Sequence, residues 1–139
     1  MDRDMVARGE ILLYQSDSDK EFVSVVFKDE NFWLTQSGMA ELFGCSSDNI
    51  SLHLKNIYGE GELEPEATAE EISVVRKEGN REVRRNIVHY NLDAIIAVGY
   101  RVNSKKATRF RQWATKTLKE YITKGFVLND DMLKNGRPF

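Results

Sequence analysis

Cysteine is nearly absent from this 139-residue chain: Cys45 stands alone, so no internal disulfide can form and no multi-cysteine zinc site can be built. Histidine is almost as scarce, with only His53 and His89, too few for a histidine-rich metal centre. There is no glycine-rich phosphate loop and no nucleophile and base at a recognisable spacing, so neither a cofactor nor an enzymatic activity is expected. No run approaches the ~20 apolar residues that span a bilayer, and Met1-Asp2-Arg3-Asp4 is too acidic for a secretory leader. With those absences no membrane partner is expected, and a reducing, cytoplasmic setting fits best.

The residues that are present suit one folded unit: 41% are hydrophobic and 10% aromatic, enough for a core. Lys and Arg number 20 against 22 Asp and Glu, a formal net charge of -2 that favours no class of partner. The distribution is more informative. Residues 1–75 carry 5 basic and 16 acidic side chains, whereas residues 76–124 carry 13 and 4. An asymmetry of this kind is a hint of a nucleic-acid or membrane contact hidden by the total.

Along the chain, residues 1–9 are polar and read as a flexible N-terminus with Gly9 as a hinge. Residues 10–15 and 21–28 are rich in β-branched and aromatic side chains and flank the turn formers Ser16-Asp17-Ser18-Asp19; a second turn at Asp29-Glu30-Asn31 leads to Phe32-Trp33-Leu34. A small antiparallel N-terminal sheet is therefore expected. At Thr35 the apolar period changes to that of a helix, with Thr35 as N-cap and Leu34 and Met39 as a hydrophobic staple, ending at Gly44. Ser46 caps a second helix whose apolar stripe is Ile50, Leu54 and Ile57. Glu60, Glu62, Glu64, Glu66, Glu70 and Glu71 around Pro65 read as an acidic loop. A Gly79-Asn80 turn then pairs residues 72–78 with 81–87, placing Ile72 opposite Ile87, Lys77 opposite Glu82 and Glu78 opposite Arg81. A short helix from Leu92 to Val98 stops at Gly99, and a long amphipathic helix runs from Asn103 or Ser104 to Lys124, with Gly125 following it.

The segment from Thr35 to Ile57 has helix-turn-helix spacing: a small residue toward the partner helix (Ala40), a turn residue tolerant of positive φ (Gly44), and Met39, Phe43, Cys45 and Ile50 to hold the pair at a steep angle. His53 departs from the pattern where an apolar residue is usual, and Leu54 fills its place. On the second helix Ser46, Ser47, Asn49, Ser51 and Lys55 can reach bases or phosphates, and Leu52 can touch a thymine methyl. With no Arg and one Lys, that helix is poorly charged, and phosphate contacts supply most of the affinity for DNA. The deficit is met by Arg76, Lys77, Arg81, Arg84 and Arg85 on the hairpin, placed as a wing follows a helix-turn-helix, and by Lys105, Lys106 and Arg109 at the start of the long helix, where cations oppose the helix dipole by roughly 0.3–1 kcal/mol each. Opposing this reading, Glu78 and Glu82 can pair with Arg81 and Lys77 and reduce the wing's field.

Phe32-Trp33-Leu34-Thr35-Gln36, the run from Val74 to Arg81 with Arg84-Arg85, Tyr90 to Val102, and Arg109-Phe110-Arg111-Gln112-Trp113-Ala114 together resemble the N-terminal part of the RhuM family of bacterial virulence-associated proteins. The order of elements is more distantly similar to the Bro-N domain of phage antirepressors. The resemblance implies a genomic-island or phage-derived protein whose chain continues into a further C-terminal region. The fold expected is α+β: a small N-terminal sheet, a helix-turn-helix with a β-hairpin wing, a short helix and a long amphipathic helix. Residues 10–125 form this winged-helix-like domain and residues 126–139 a tail. The function expected is binding of double-stranded DNA in transcription regulation, with a homodimer formed through the long helix around Trp113. The alternative is a protein-interaction module, antirepressor-like, using Leu52 or the acidic loop.

Overall fold

The computed structural model describes residues 5–6, 10–15 and 22–134, at side-chain level over 10–15 and 22–120. Strands β1 (Met5–Val6), β2 (Glu10–Gln15), β3 (Phe22–Lys28) and β4 (Asn31–Thr35) precede helices α1 (Gln36–Phe43), α2 (Ser47–Gly59) and the single turn α3 (Pro65–Thr68). Strands β5 (Ala69–Glu78) and β6 (Arg81–Asn91) lead to α4 (Leu92–Arg101) and α5 (Lys105–Lys134). The α+β class is as the sequence predicts. Asp29 and Glu30 both adopt positive φ, 54° and 56°, the two-residue geometry whose twist suits the β3–β4 hairpin. The turn expected at Ser16–Asp19 lies outside the described residues, as do Gly9 and the tail from residue 135.

The strands form one antiparallel sheet in the order β1-β5-β6-β4-β3-β2. The expected separation of an N-terminal sheet from a hairpin wing does not hold. Strand β4 pairs with the base of β6, Leu34 opposite Tyr90 and Thr35 opposite His89, which fuses the two hairpins. Within the segment read as a flexible N-terminus, Met5 and Val6 pair with Val75 and Val74. Edge strand β1 also touches β2 at the opposite edge, so the sheet curls toward closure.

Alternation along the strands divides the sheet into two faces. On the convex face Tyr14, Val25, Phe27, Phe32 and Leu34 pack beneath Met39, Ile50, Ile57, Ile95, Val98 and Phe110. Trp113 joins this core through ring contacts: its centroid lies 5.0 Å from that of Tyr14, edge-on, and 5.4 Å from that of Phe32, tilted. Trp113 is thus occupied within its own chain. The concave face holds a second cluster of Val26, Trp33, Ile72 and Val74, with Ile87 against it.

Helix boundaries depart from expectation at two glycines. Gly99 lies inside α4, and a Cβ there would come within 2.3 Å of the Ala107 Cβ and 3.1 Å of Phe43 Cζ, so it is a close-packing residue between α4 and α5. Gly125 likewise does not end α5, whose backbone continues to Lys134, about 45 Å in all. The stretch read as an acidic loop contains α3 and the start of β5 from Ala69.

Candidate nucleic-acid interface

The two helices that carry the site are set by their caps. Thr35 Oγ1 accepts from the Gly38 N–H at 2.9 Å, and Gly44 turns the chain at φ 69° while its N–H donates to the Ala40 carbonyl at 2.9 Å. Ser46 Oγ accepts from the Asn49 N–H at 3.1 Å and starts α2. Ile50, Leu54 and Ile57 are buried, while Asp48, Ser51, Leu52, Lys55 and Asn56 face outward, Leu52 with 55% of its surface exposed. Leu54, not His53, fills the buried position, as the spacing predicts. Ser46 and Ser47 are engaged locally: Gln36 Nε2 donates to the Ser47 carbonyl at 2.9 Å and to its hydroxyl at 3.0 Å. This α1–α2 bridge by Gln36 left no signal in the sequence. Asn49 is half-buried.

The hairpin register is the one read from Gly79-Asn80, with Ile72 opposite Ile87, Lys77 opposite Glu82 and Glu78 opposite Arg81. Its cations do not form one clamp. Strand alternation puts Lys77 and Arg84 on the convex, helix-bearing side, and Arg76, Arg81 and Arg85 on the concave side with Val74 and Ile87. The expected pairing of Glu78 with Arg81 gives way to a diagonal fork, in which Arg85 Nε and Nη2 donate to Glu78 at 2.9 and 2.8 Å. That guanidinium holds the Glu78 carboxyl below the usual range. Arg84 donates to the Ser73 hydroxyl at 3.1 Å and to no carboxylate among the described residues.

At the start of α5, Ser104 Oγ accepts from the Lys106 N–H at 3.1 Å. Lys106 reaches across to the α1–α2 turn: a Cβ on Gly44 would lie 3.7 Å from its Nζ. The charge that opposes the dipole of α5 thereby sits at the C-terminal end of α1, where a cation is favoured. Lys105 lines a cleft of about 270 Å³ with Arg111, Ser104 and Tyr100, the tyrosine 75% exposed, and Arg109 is exposed nearby on α5. Lys55, Lys77, Arg81, Lys105, Lys106 and Arg109 make no ion pair among the described residues.

Half of the acidic segment's glutamates, Glu60, Glu62 and Glu70, are paired away from these cations. Arg101, which nothing in the sequence singles out, donates to Glu60 at 2.9 Å and Glu62 at 2.8 Å, and holds the Glu60 carboxyl below its ordinary value. Lys28 pairs with Glu70, which raises the lysine's pKa. Tyr58 and Thr68 share a hydrogen bond of 2.9 Å that pins α3 to α2, and burial pushes the Tyr58 phenol up. Among the described residues, no three His, Cys, Asp or Glu side chains converge to hold a metal, and no helix is long and apolar enough to cross a membrane.

A sequence model of the virulence protein RhuM family matches residues 67–139, from α3 to the end of the chain, 73 of its 139 residues. The chain belongs to the RhuM family. No curated protein and no solved structure matches it. The part of this RhuM chain that the family match covers holds the hairpin, α4 and α5. The helix pair precedes the match, so its reading rests on its own caps and packing.

Proposed function

We propose that this RhuM-family chain is a DNA-binding regulatory domain, with the outer face of α2 in the major groove and cations of the hairpin and α5 on phosphates. The observation that carries the reading is the free charge around the helix pair. Lys106 stands at the α1–α2 turn, Lys55 on the outer face of α2, and Lys77 on the helix-bearing side of the hairpin, none held by an acid among the described residues. Of the acidic segment, Glu60 and Glu62 are bound by Arg101 and Glu70 by Lys28, away from these cations. Ser51, Lys55 and Asn56 present the hydrogen-bonding groups that base edges accept, and Leu52 an apolar contact for thymine methyls. The test is a mobility-shift titration on random duplex DNA at low and raised salt: a steep loss of affinity with salt is expected, and no binding at low salt refutes the reading.

One feature favours a second reading. Leu52, more than half exposed at the centre of that face, also suits a protein partner, as in an antirepressor. A Leu52→Asp variant that loses no affinity for DNA, while an otherwise captured repressor-type protein is released, decides for that alternative.

A further inference from the structure

The concave face of the sheet lines a half-open cavity of about 350 Å³ that the DNA reading does not use. Its apolar wall is Val26, Val74 and Ile87, and its polar groups include Arg76 from β5, His89 from β6 and Glu41 from α1. His89 is only 3% exposed, yet one of its two nitrogens is unengaged. Its Nδ1 meets the Ile87 carbonyl at 2.8 Å, and because a carbonyl can only accept, the proton belongs on Nδ1. Nε2 is then a bare acceptor with no hydrogen bond among the described residues. Burial holds the imidazole's pKa below its ordinary value, a tendency reinforced by the Arg76 charge, so the ring stays neutral near pH 7. Nε2 is not sealed from solvent, so an acceptor stands open on the cavity wall, where a donor from a ligand can meet it.

The charges narrow the ligand's chemistry. A simple carboxylate would suit Arg76 but be repelled by Glu41, and a simple amine would suffer the reverse. Arg76 has five N–H donors, which lets it hold a carboxylate alongside the contacts it already makes within the protein. We propose that the cavity binds a zwitterion of the α-amino acid class with an apolar side chain. Its carboxylate lies on Arg76, its ammonium is shared by His89 Nε2 and Glu41, and its side chain packs on Val26, Val74 and Ile87. Because Glu41 belongs to α1 and Arg76 to the hairpin, the ligand bridges the two parts of the proposed DNA interface.

The test is independent of DNA. Calorimetric titration of the 139-residue protein with L-leucine and L-phenylalanine should give saturable binding. The keto acid of leucine, which lacks the ammonium, and isopentylamine, which lacks the carboxylate, should bind at least about tenfold more weakly. Arg76→Met and Glu41→Gln should each weaken leucine by a similar factor. Glu41 is exposed, so its variant keeps the fold and decides the matter even where Arg76→Met fails to fold. No heat from either amino acid up to about 10 mM overturns the proposal, as does equal affinity for the keto acid or unchanged affinity in Glu41→Gln.

Discussion

The division of the hairpin cations between two faces makes the DNA reading quantitative. Lys77 and Arg84 face the side that carries α2, whereas Arg81 and Arg85 face the concave side and Arg85 is already forked onto Glu78. If the duplex lies across α2, only the first pair can meet phosphates. Each phosphate contact adds about 0.9 to the slope of log affinity against log salt, so Lys77→Ala with Arg84→Ala should flatten that slope by about 1.8. Over a fourfold rise in salt, wild type should therefore lose about twelvefold more affinity than the double variant. Arg81→Ala with Arg85→Ala removes the same formal charge and should leave the slope nearly unchanged. The assay is fluorescence anisotropy of a labelled duplex at four or more salt concentrations. Equal flattening by the two double variants refutes the face assignment, and no flattening by either refutes the wing as a phosphate contact.

Other outcomes follow from the packing and the titrating groups. Gly99→Ala gains helix propensity of about 1 kcal/mol, but its Cβ would sit 2.3 Å from Ala107 Cβ, where carbons prefer about 3.5–4.0 Å, so a net loss of about 2 kcal/mol is expected by denaturant unfolding, partly recovered by Ala107→Gly; a more stable Gly99→Ala would contradict the α4–α5 contact. His89 has a folded pKa below its unfolded value, so the unfolded chain binds the extra proton and stability falls as pH drops below about 6.5, by at most about 1.4 kcal/mol per pH unit. His89→Gln should abolish that part of the slope between pH 7 and the folded pKa, as measured by denaturation midpoints; an unchanged slope would assign it elsewhere. In Arg101→Ala the Glu60 carboxyl should titrate back up toward its ordinary range in a carboxyl-carbon NMR titration, and an unmoved resonance would exclude Arg101 as the cause.

Features encoded by neighbouring residues were readable from the sequence. Thr35, Gly44 and Ser46 place the ends of α1 and α2 because capping is settled within a few residues. The Gly79-Asn80 turn likewise sets every pair of the hairpin up to Ile72 and Ile87. The fusion of the two hairpins was not readable, because Leu34 and Tyr90 are far apart in the chain and edge and central strands share the same local pattern. Gly99 misled for a related reason: glycine at the end of an apolar helical run signals a cap, but it also permits close helix contact, and only the position of Ala107 tells the two apart. At the site, residue types indicated charge but not direction. The hairpin arginines were visible as a cluster, while their split between faces required the pairing to be combined with knowledge of which side the helices cover.

The fused sheet also explains how groups from distant segments can act as one surface. Thr35 is both the last residue of β4 and the N-cap of α1, and it pairs with His89 on β6, the strand that carries the hairpin. The orientation of the helix pair relative to the hairpin is therefore fixed by strand hydrogen bonds rather than by a flexible linker. At the opposite end of α1, Gly44 lies beside Lys106, and α5 is held against α4 at the glycine contact. The short helix α1 is thus braced at both ends, by the sheet and by α5, and α2 takes its position from α1 through the Gln36–Ser47 bridge. A ligand between Glu41 and Arg76 would add a brace where the helix pair and the hairpin meet. Such a brace can change DNA affinity without touching DNA, because it restricts the angle between the two groups of contacts that a duplex must meet at once.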